Sequence, residues 1–264
     1  MRRHGFSLVE IAIVLVILGL LVGGIVAGKS IIQASQVRKI TADFVRYNTA
    51  VRAFDTQYGG YPGDLPRATE YWGFAGGTTG QDAACYNVSS KAKGTCNGDG
   101  DGNIACANPA GTWSCSETFH AWKQLANAGL IEGSYTGVKG VGGTDYMIVP
   151  GFNAPGSSRA GTGFAFWSQQ DGFVGDGNWF PGKGGNLIMF GTANTSITEY
   201  PGLRPTEAWN IDLKMDDGKP GLGNMRSHRQ GSASPNCANS TDPNIATYRT
   251  ELKSIECNLY QYIN

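Results

Sequence analysis

Apolar residues fall along this chain in two periods, and the change between them comes at Lys29. Residues 6–28 are apolar throughout except for Ser7 and Glu10. As a helix, such a segment rises about 34 Å, enough to cross a hydrocarbon layer roughly 30 Å thick. After Lys29 the apolar positions thin to a stripe. Val37, Ile40, Phe44, Tyr47, Val51, Phe54 and Tyr58 follow one another at steps of 3 or 4, with Arg38, Lys39, Asp43, Arg46 and Arg52 between them. That spacing keeps one face of a helix apolar and the others polar. No proline occurs before Pro62, and Gly59-Gly60 is a stop signal, so the pattern predicts one continuous helix over residues 6–58. Its first half suits lipid or other apolar helices; its second half suits the face of a folded domain.

The remainder gives shorter signals. "YGGYPGDLPRATEYWGF" (58–74) is a proline-punctuated turn that breaks the helix. Residues 75–115 are rich in Gly and Cys and lack apolar periodicity, which reads as a pinned loop region within one domain. "SCSETFHAWKQLANAGLIEG" (114–133) reads as a short helix. Ser114 and Glu117 have capping-box spacing, Ser116 is a rival N-cap, and Phe119, Trp122, Leu125 and Ala126 make an apolar face that ends at Gly129. Strand-like runs occupy residues 146–149, 164–168, 187–190 and 254–263. Between the last two, "RPTEAWNIDLKMDDGKPGLG" (204–223) opens as a helix with Pro205 in its first turn and ends in an acidic Gly-Pro turn.

Composition narrows the picture. The chain of 264 residues leaves room for one globular domain after the long helix. Its 39 Gly point to turns and loops. Lys plus Arg and Asp plus Glu are both 21, so no global electrostatic case exists for nucleic acid. The six cysteines, Cys85, Cys96, Cys106, Cys115, Cys237 and Cys257, all follow the apolar segment. An even count in Gly-rich loops beyond a membrane segment reads as a disulfide framework in an oxidising compartment. Zinc is the weaker reading, because no pair has the close spacing of a zinc knuckle and no His stands nearby at ligand spacing. Six cysteines allow about fifteen pairings. The local set, Cys85–Cys96, Cys106–Cys115 and Cys237–Cys257, is the expected one.

Glu10 is the anomaly in the first segment. A charge deep in hydrocarbon costs roughly 2.5–3.5 kcal/mol and so marks a working site. Arg2 and Arg3 precede the apolar run, which places the N-terminus in the cytoplasm and the rest outside. A secretory signal peptide would have a shorter apolar core followed by an A-x-A-like cleavage site; no such site follows here. Instead, Gly5 stands between the basic residues and Phe6.

"RRHGFSLVEIAIVLVILGLL" resembles the N-terminus of type IV prepilins and type II secretion pseudopilins. That family has a short basic leader ending in Gly, then Phe, then a Glu five residues into the mature chain. "YPGDLP" (61–66) likewise resembles a linker of large pilin-like proteins. The resemblance implies that a prepilin peptidase cuts between Gly5 and Phe6 and methylates the new amine. It implies an α+β pilin fold, a long helix on a small antiparallel sheet with long disulfide-pinned loops. The parts would be a leader (1–5), a transmembrane and assembly helix (6–28), its amphipathic continuation (29–58) and an extracytoplasmic domain (59–264). Implied partners are other pilin-like subunits in a helical filament, the peptidase, and an assembly ATPase with its inner-membrane platform protein. The implied location is the bacterial inner membrane in a single pass, then a periplasmic or extracellular filament. In such a stack the Glu10 carboxylate meets the N-terminal amine of a neighbour. Because an unpaired buried charge is costly, it penalises the wrong register as much as it rewards the right one.

Two acidic stretches are candidate calcium sites. In "CNGDGDGNIAC" (96–106), Asn97, Asp99, Asp101 and Asn103 alternate as in the first half of an EF-hand loop, and Glu117 is a later carboxylate in place of the missing position 12. In "DLKMDDGKPG" (212–221), Asp212, Asp216 and Asp217 form the weaker candidate. A solvated Asx/Gly turn explains the first stretch without a metal, and a helix C-terminus plus turn explains the second. "GNWFPGKG" (177–184) has the spacing of a phosphate loop, but Gly184 stands where Ser or Thr would bind magnesium. No HExxH, GxSxG or Cys–His pattern supports an enzyme. His120, beside the core Trp122, is expected at the surface or its boundary. The competing class is a signal-anchored binding module that recognises a glycan or secreted substrate without polymerising.

Overall fold

A computed structural model describes residues 7–104, 116–142, 147–169, 177–229, 234 and 236–263. It divides into two compact units, Met1–Lys39 and Ile40–Asn264. The first helix, α1, spans Leu8–Tyr58 and contributes to both. In the first unit its large apolar side chains are exposed, among them Leu8, Leu20 and Ile25.

In the second unit the predicted stripe is the core. Ile40, Phe44, Val51 and Phe54 are fully buried and Tyr47 nearly so. Asp43, expected among the solvated polar residues, is buried as well, because Arg46 pairs with it at 2.9 Å. The stripe packs on a four-stranded antiparallel sheet of order β1-β2-β4-β3, formed by β1 (Thr162–Gln169), β2 (Gly185–Thr192), β3 (Met225–Arg226) and β4 (Leu259–Tyr262). Phe44 meets Phe164 edge-on at 5.4 Å and Phe190 at 6.4 Å, while Tyr47 meets Phe164 at 4.9 Å. Phe164 and Phe190 are cross-strand partners in the β1–β2 register, so one pair of facing residues receives the helix.

The other face of the sheet is covered too. Met189 pairs with Tyr260, and Trp179 and His228 pack on the Tyr260 ring at 4.9 and 5.7 Å. Burial on both faces is why residues 187–190 read as a continuous apolar run rather than an alternation.

The helices after α1 are short: α2 (Ala68–Trp72), α3 (Ala83–Tyr86), α4 (Ser116–Asn127) and α5 (Pro205–Met215). Helix α4 departs from the one-faced helix expected. Residues 117–125 are buried all round, His120 included, which corrects its expected surface placement. Trp122 lies tilted against Phe166 at 4.1 Å and meets Tyr47 edge-on at 5.0 Å. The polar residues of α4 are buried because Gly-rich loops, with few side chains of their own, use them as hydrogen-bond partners. Gln124 accepts from Gly63 N–H at 2.7 Å and donates to the Cys96 carbonyl at 3.1 Å, and Thr95 Oγ1 lies 3.1 Å from His120 Nδ1. A Schellman pair ends the helix: Leu130 N–H donates to the Leu125 carbonyl and Gly129 N–H to that of Ala126, both at 3.0 Å.

Two strand expectations are corrected. Residues 147–149 form no strand, since Val149 N–H goes to the Asn153 side chain and Ile148 N–H to the Ser196 carbonyl instead of a ladder; Tyr146 lies outside the described residues. The last strand is confined to Leu259–Tyr262, because Cys257 is bonded to Leu203 and held by a disulfide. The expected bridges Cys85–Cys96 and Cys237–Cys257 are both present. Cys106 and Cys115 lie outside the described residues. Helix α5 starts at Pro205 as expected, and Glu207 serves it twice, accepting from Arg204 N–H at 2.9 Å and pairing in bidentate fashion with Arg159 at 2.7 and 2.9 Å.

Candidate functional site

At the head of α1, Ser7 and Glu10 close a capping box. Glu10 Oε2 accepts from Ser7 N–H at 2.8 Å, while Ser7 Oγ accepts from Val9 N–H at 3.2 Å and Glu10 N–H at 3.4 Å. The S-x-x-E spacing was present in the sequence as the signal for this contact. Among the described residues, α1 is the one helix long and apolar enough to cross a membrane, and its apolar window is unburied. Gly5 and Phe6 lie outside the described residues.

The first acidic stretch is organised by a residue outside it. Asp64, from the Pro-Gly-Asp-Leu-Pro turn after α1, is buried, and its carboxylate accepts from the N–H groups of Gly100 at 2.6 Å, Asp101 at 3.2 Å and Gly102 at 3.0 Å. The loop must lie directly on Asp64 for this to happen. A Cβ on Gly98 would sit 2.3 Å from the Asp64 Cα, so only glycine fits there. Carboxylate oxygens of Asp64, Asp99 and Glu117 lie within 4.8 Å of one another, a set able to hold a metal ion. Burial pushes the Asp64 carboxyl up to about 6, against the pull of the Gly102 and Gly100 N–H groups, and the nearby Asp101 and Asp99 push the same way as burial.

Of the predicted ligands, then, Asp99 and Glu117 are brought together. The others have local roles. Asn97 Oδ1 accepts from Thr69 N–H at 2.9 Å, Asp101 Oδ1 from Asn103 N–H at 2.7 Å, and Asn103 Oδ1 from the Ser168 hydroxyl at 2.9 Å. Sequence spacing missed Asp64. Its signal was a carboxylate set between two prolines in a turn, too short a pattern to tie to residues some 36 positions on.

The second stretch also converges: Asp212, Asp216 and Asp217 lie within 4.8 Å of one another at the end of α5. Asp212 is fully buried and accepts from the Tyr248 hydroxyl at 2.7 Å and Gly218 N–H at 3.2 Å. Burial raises its carboxyl to about 7, with Asp217 and Asp216 adding to the rise and Tyr248 and Gly218 opposing it. Asp216 accepts from the N–H groups of Asn224 and Met225, and Asp217 from that of Lys219. These bonds fold the acidic turn back onto β3.

In the look-alike of a phosphate loop, Lys183 donates to Asn224 Oδ1 and lies over the Tyr262 ring at 5.0 Å. Trp179 and Phe180 are core residues. The segment is therefore built as a support for β4.

Comparison with known proteins bears on the N-terminus. Comparisons with curated proteins and with solved structures find no match. Residues 1–26 match the family model described as the prokaryotic N-terminal methylation motif. Together with the capped apolar helix, that match means that this chain carries the N-terminal methylation motif of type IV prepilins and pseudopilins.

Proposed function

We propose that this protein is a structural subunit of a type IV pilus or type II secretion pseudopilus. The observation that carries the reading is the methylation motif at residues 1–26 on a helix whose apolar side chains are exposed from Leu8 onward. Exposed apolar surface of that extent needs lipid or other helices around it. In this reading a prepilin peptidase cuts between Gly5 and Phe6, the Phe6 amine is methylated, and residues 6–28 anchor the subunit in the inner membrane with its N-terminus cytoplasmic. Residues 29–58 continue the helix into the extracytoplasmic domain, 59–264. An assembly ATPase with its platform protein then feeds the subunit into a filament. Glu10 pairs there with the amine of a neighbour, and the role is structural rather than enzymatic.

For the folded domain the reading adds calcium at Asp64, Asp99 and Glu117. Hard oxygen ligands suit that ion, and three carboxylates packed this closely, two of them buried, repel one another unless a cation or proton intervenes.

Mass spectrometry of the mature N-terminus tests the central claim. The expected result is N-methyl-phenylalanine at Phe6. An intact Met1, or a cut beyond residue 25, overturns it and leaves a signal-anchored domain.

A further inference from the structure

Strand β4 is four residues long and lies between β2 and β3 in the sheet. Two side chains meet at one end of it. Lys183 stands two residues before β2 and Asn224 one residue before β3, and the Lys183 Nζ donates to Asn224 Oδ1.

The same tyrosine fixes both residues. The Lys183 carbonyl accepts from the Tyr262 hydroxyl at 2.6 Å, and the Asn224 carbonyl accepts from Tyr262 N–H at 2.9 Å. The Lys183 Nζ lies 5.0 Å from the centroid of the Tyr262 ring, so the side chain runs along the residue that holds its backbone. An amine in contact with Oδ1 is within one bond length of contact with the carboxamide carbon. Well-oriented groups held in this way react at effective molarities of about 10⁵ M or more.

Neighbouring charges bear on the proton inventory. Burial lowers the Lys183 pKa, the Arg226 guanidinium over the same ring lowers it further, and Asp216 opposes both. Asp216 is also bound to the other reactant, since its carboxylate accepts from the N–H groups of Asn224 and Met225. A carboxylate seated on Asn224 and felt by the Lys183 charge is placed to carry a proton between them.

We propose that Lys183 and Asn224 join in an intramolecular isopeptide bond. The ammonium first gives up one proton, and the neutral Nζ attacks Cγ of Asn224 to form the new C–N bond. Asp216 takes a second proton from Nζ and delivers it to Nδ2. The Cγ–Nδ2 bond then breaks with its electron pair and ammonia leaves. The net products are one secondary amide and one ammonium ion, and no oxidant or co-reactant is consumed. The step needs proximity and a proton acceptor; it does not need Lys183 to be otherwise unpartnered. The bond links residues 41 positions apart across the end of β4 and locks that strand between its neighbours. It is independent of filament assembly.

Tryptic mapping of the purified full chain, reduced and alkylated after overnight incubation at pH 8, tests the bond. Trypsin does not cut after an acylated lysine. The expected product is residues 160–214 joined to 215–226, lighter than the two peptides together by one ammonia. Fragmentation should place the link at Lys183 and Asn224. Lys183→Arg keeps a cation but has no amine to acylate, and is expected to release residues 215–226 unlinked. Asp216→Asn keeps an acceptor for both N–H groups and is expected to slow bond formation by about 100-fold, read as the joined fraction against time. Recovery of residues 215–226 only in the unlinked form, from parent protein that melts cooperatively, overturns the proposal, as does a link at any other pair. A rate unchanged by Asp216→Asn overturns the proton route.

Discussion

Ser7 N–H donates to the Glu10 carboxylate at 2.8 Å, so the one acid in the apolar half of α1 already has a partner within its own helix. An N-terminal cap is worth about 1 kcal/mol, less than the cost of burying the charge among other helices. Local capping and pairing with a neighbouring amine are therefore separable roles for the same side chain.

Glu10→Gln separates them. Glutamine keeps the acceptor for Ser7 N–H but removes the charge. If charge pairing sets register, Glu10→Gln inserts in the membrane normally and is lost from filaments as fully as Glu10→Ala. Pull-down of sheared filaments and membrane fractionation measure the two quantities. Normal incorporation of Glu10→Gln with loss of Glu10→Ala would reduce the residue to a helix cap.

The loop around Asp64 is expected to be intolerant of small changes. Gly98→Ala brings a methyl group against the Asp64 backbone and is expected to destabilise the domain by about 1–3 kcal/mol, the usual range for overpacking. Gly102→Ala adds no such clash but strains a positive φ of 88°. Denaturant midpoints of both variants against the parent rank the effects, and Gly98→Ala should be the larger.

Calcium binding is expected to raise Tm at pH 7.5 and chelation to reverse the rise. Asp99→Asn should weaken the response, since Asp99 is the exposed member of the first cluster and its change leaves the buried partners in place. Asp217→Asn should leave it unchanged. A response lost with Asp217→Asn and kept with Asp99→Asn moves the ion to the end of α5.

His120 gives the domain an acid-sensitive component. Burial, aided by Lys123, lowers its pKa to about 3, whereas the unfolded chain titrates near the ordinary 6.5. The unfolded state thus binds the extra proton between these values, and stability is lost as pH falls from 6.5 toward 3. The slope is about 1.4 kcal/mol per pH unit for one group. Asp64 acts in the opposite sense from about 4 to 6, because its folded pKa is raised. His120→Gln against the parent isolates the histidine: the difference in Tm between them should change by several degrees from pH 7 to pH 5.

Removing either described disulfide should lower stability by about 3 kcal/mol on chain-entropy grounds, since the loops closed differ little on a logarithmic scale. Cys237→Ser with Cys257→Ser should in addition release the end of the chain from Leu203, seen as faster amide exchange in β4. Equal exchange in both proteins would show that the sheet holds that end without the bridge.

The sequence by itself determined the long helix, its two halves, the methylation motif and the apolar strands β1 and β2. Each rests on a pattern read over neighbouring residues: steps of 3 and 4 from Val37 to Tyr58, an unbroken apolar run from 187 to 190, the Gly-Phe-Ser-Leu-Val-Glu run from Gly5 to Glu10. Local pairing of Cys85 with Cys96 and of Cys237 with Cys257 was legible for the same reason. Only tertiary structure decided that Asp64 would gather the 98–102 loop, that α4 would be buried all round, and that β4 would be short. Those outcomes depend on partners distant in the chain. The carboxylate needs three N–H groups that no spacing rule links to it, Lys123 and Gln124 stay inside because loops offer them backbone partners and His120 because Thr95 offers its hydroxyl, and Cys257 is drawn from the ladder by Leu203. Periodicity records which face of an element meets apolar surroundings; it carries no record of which remote polar group makes burial of a charge or an amide affordable.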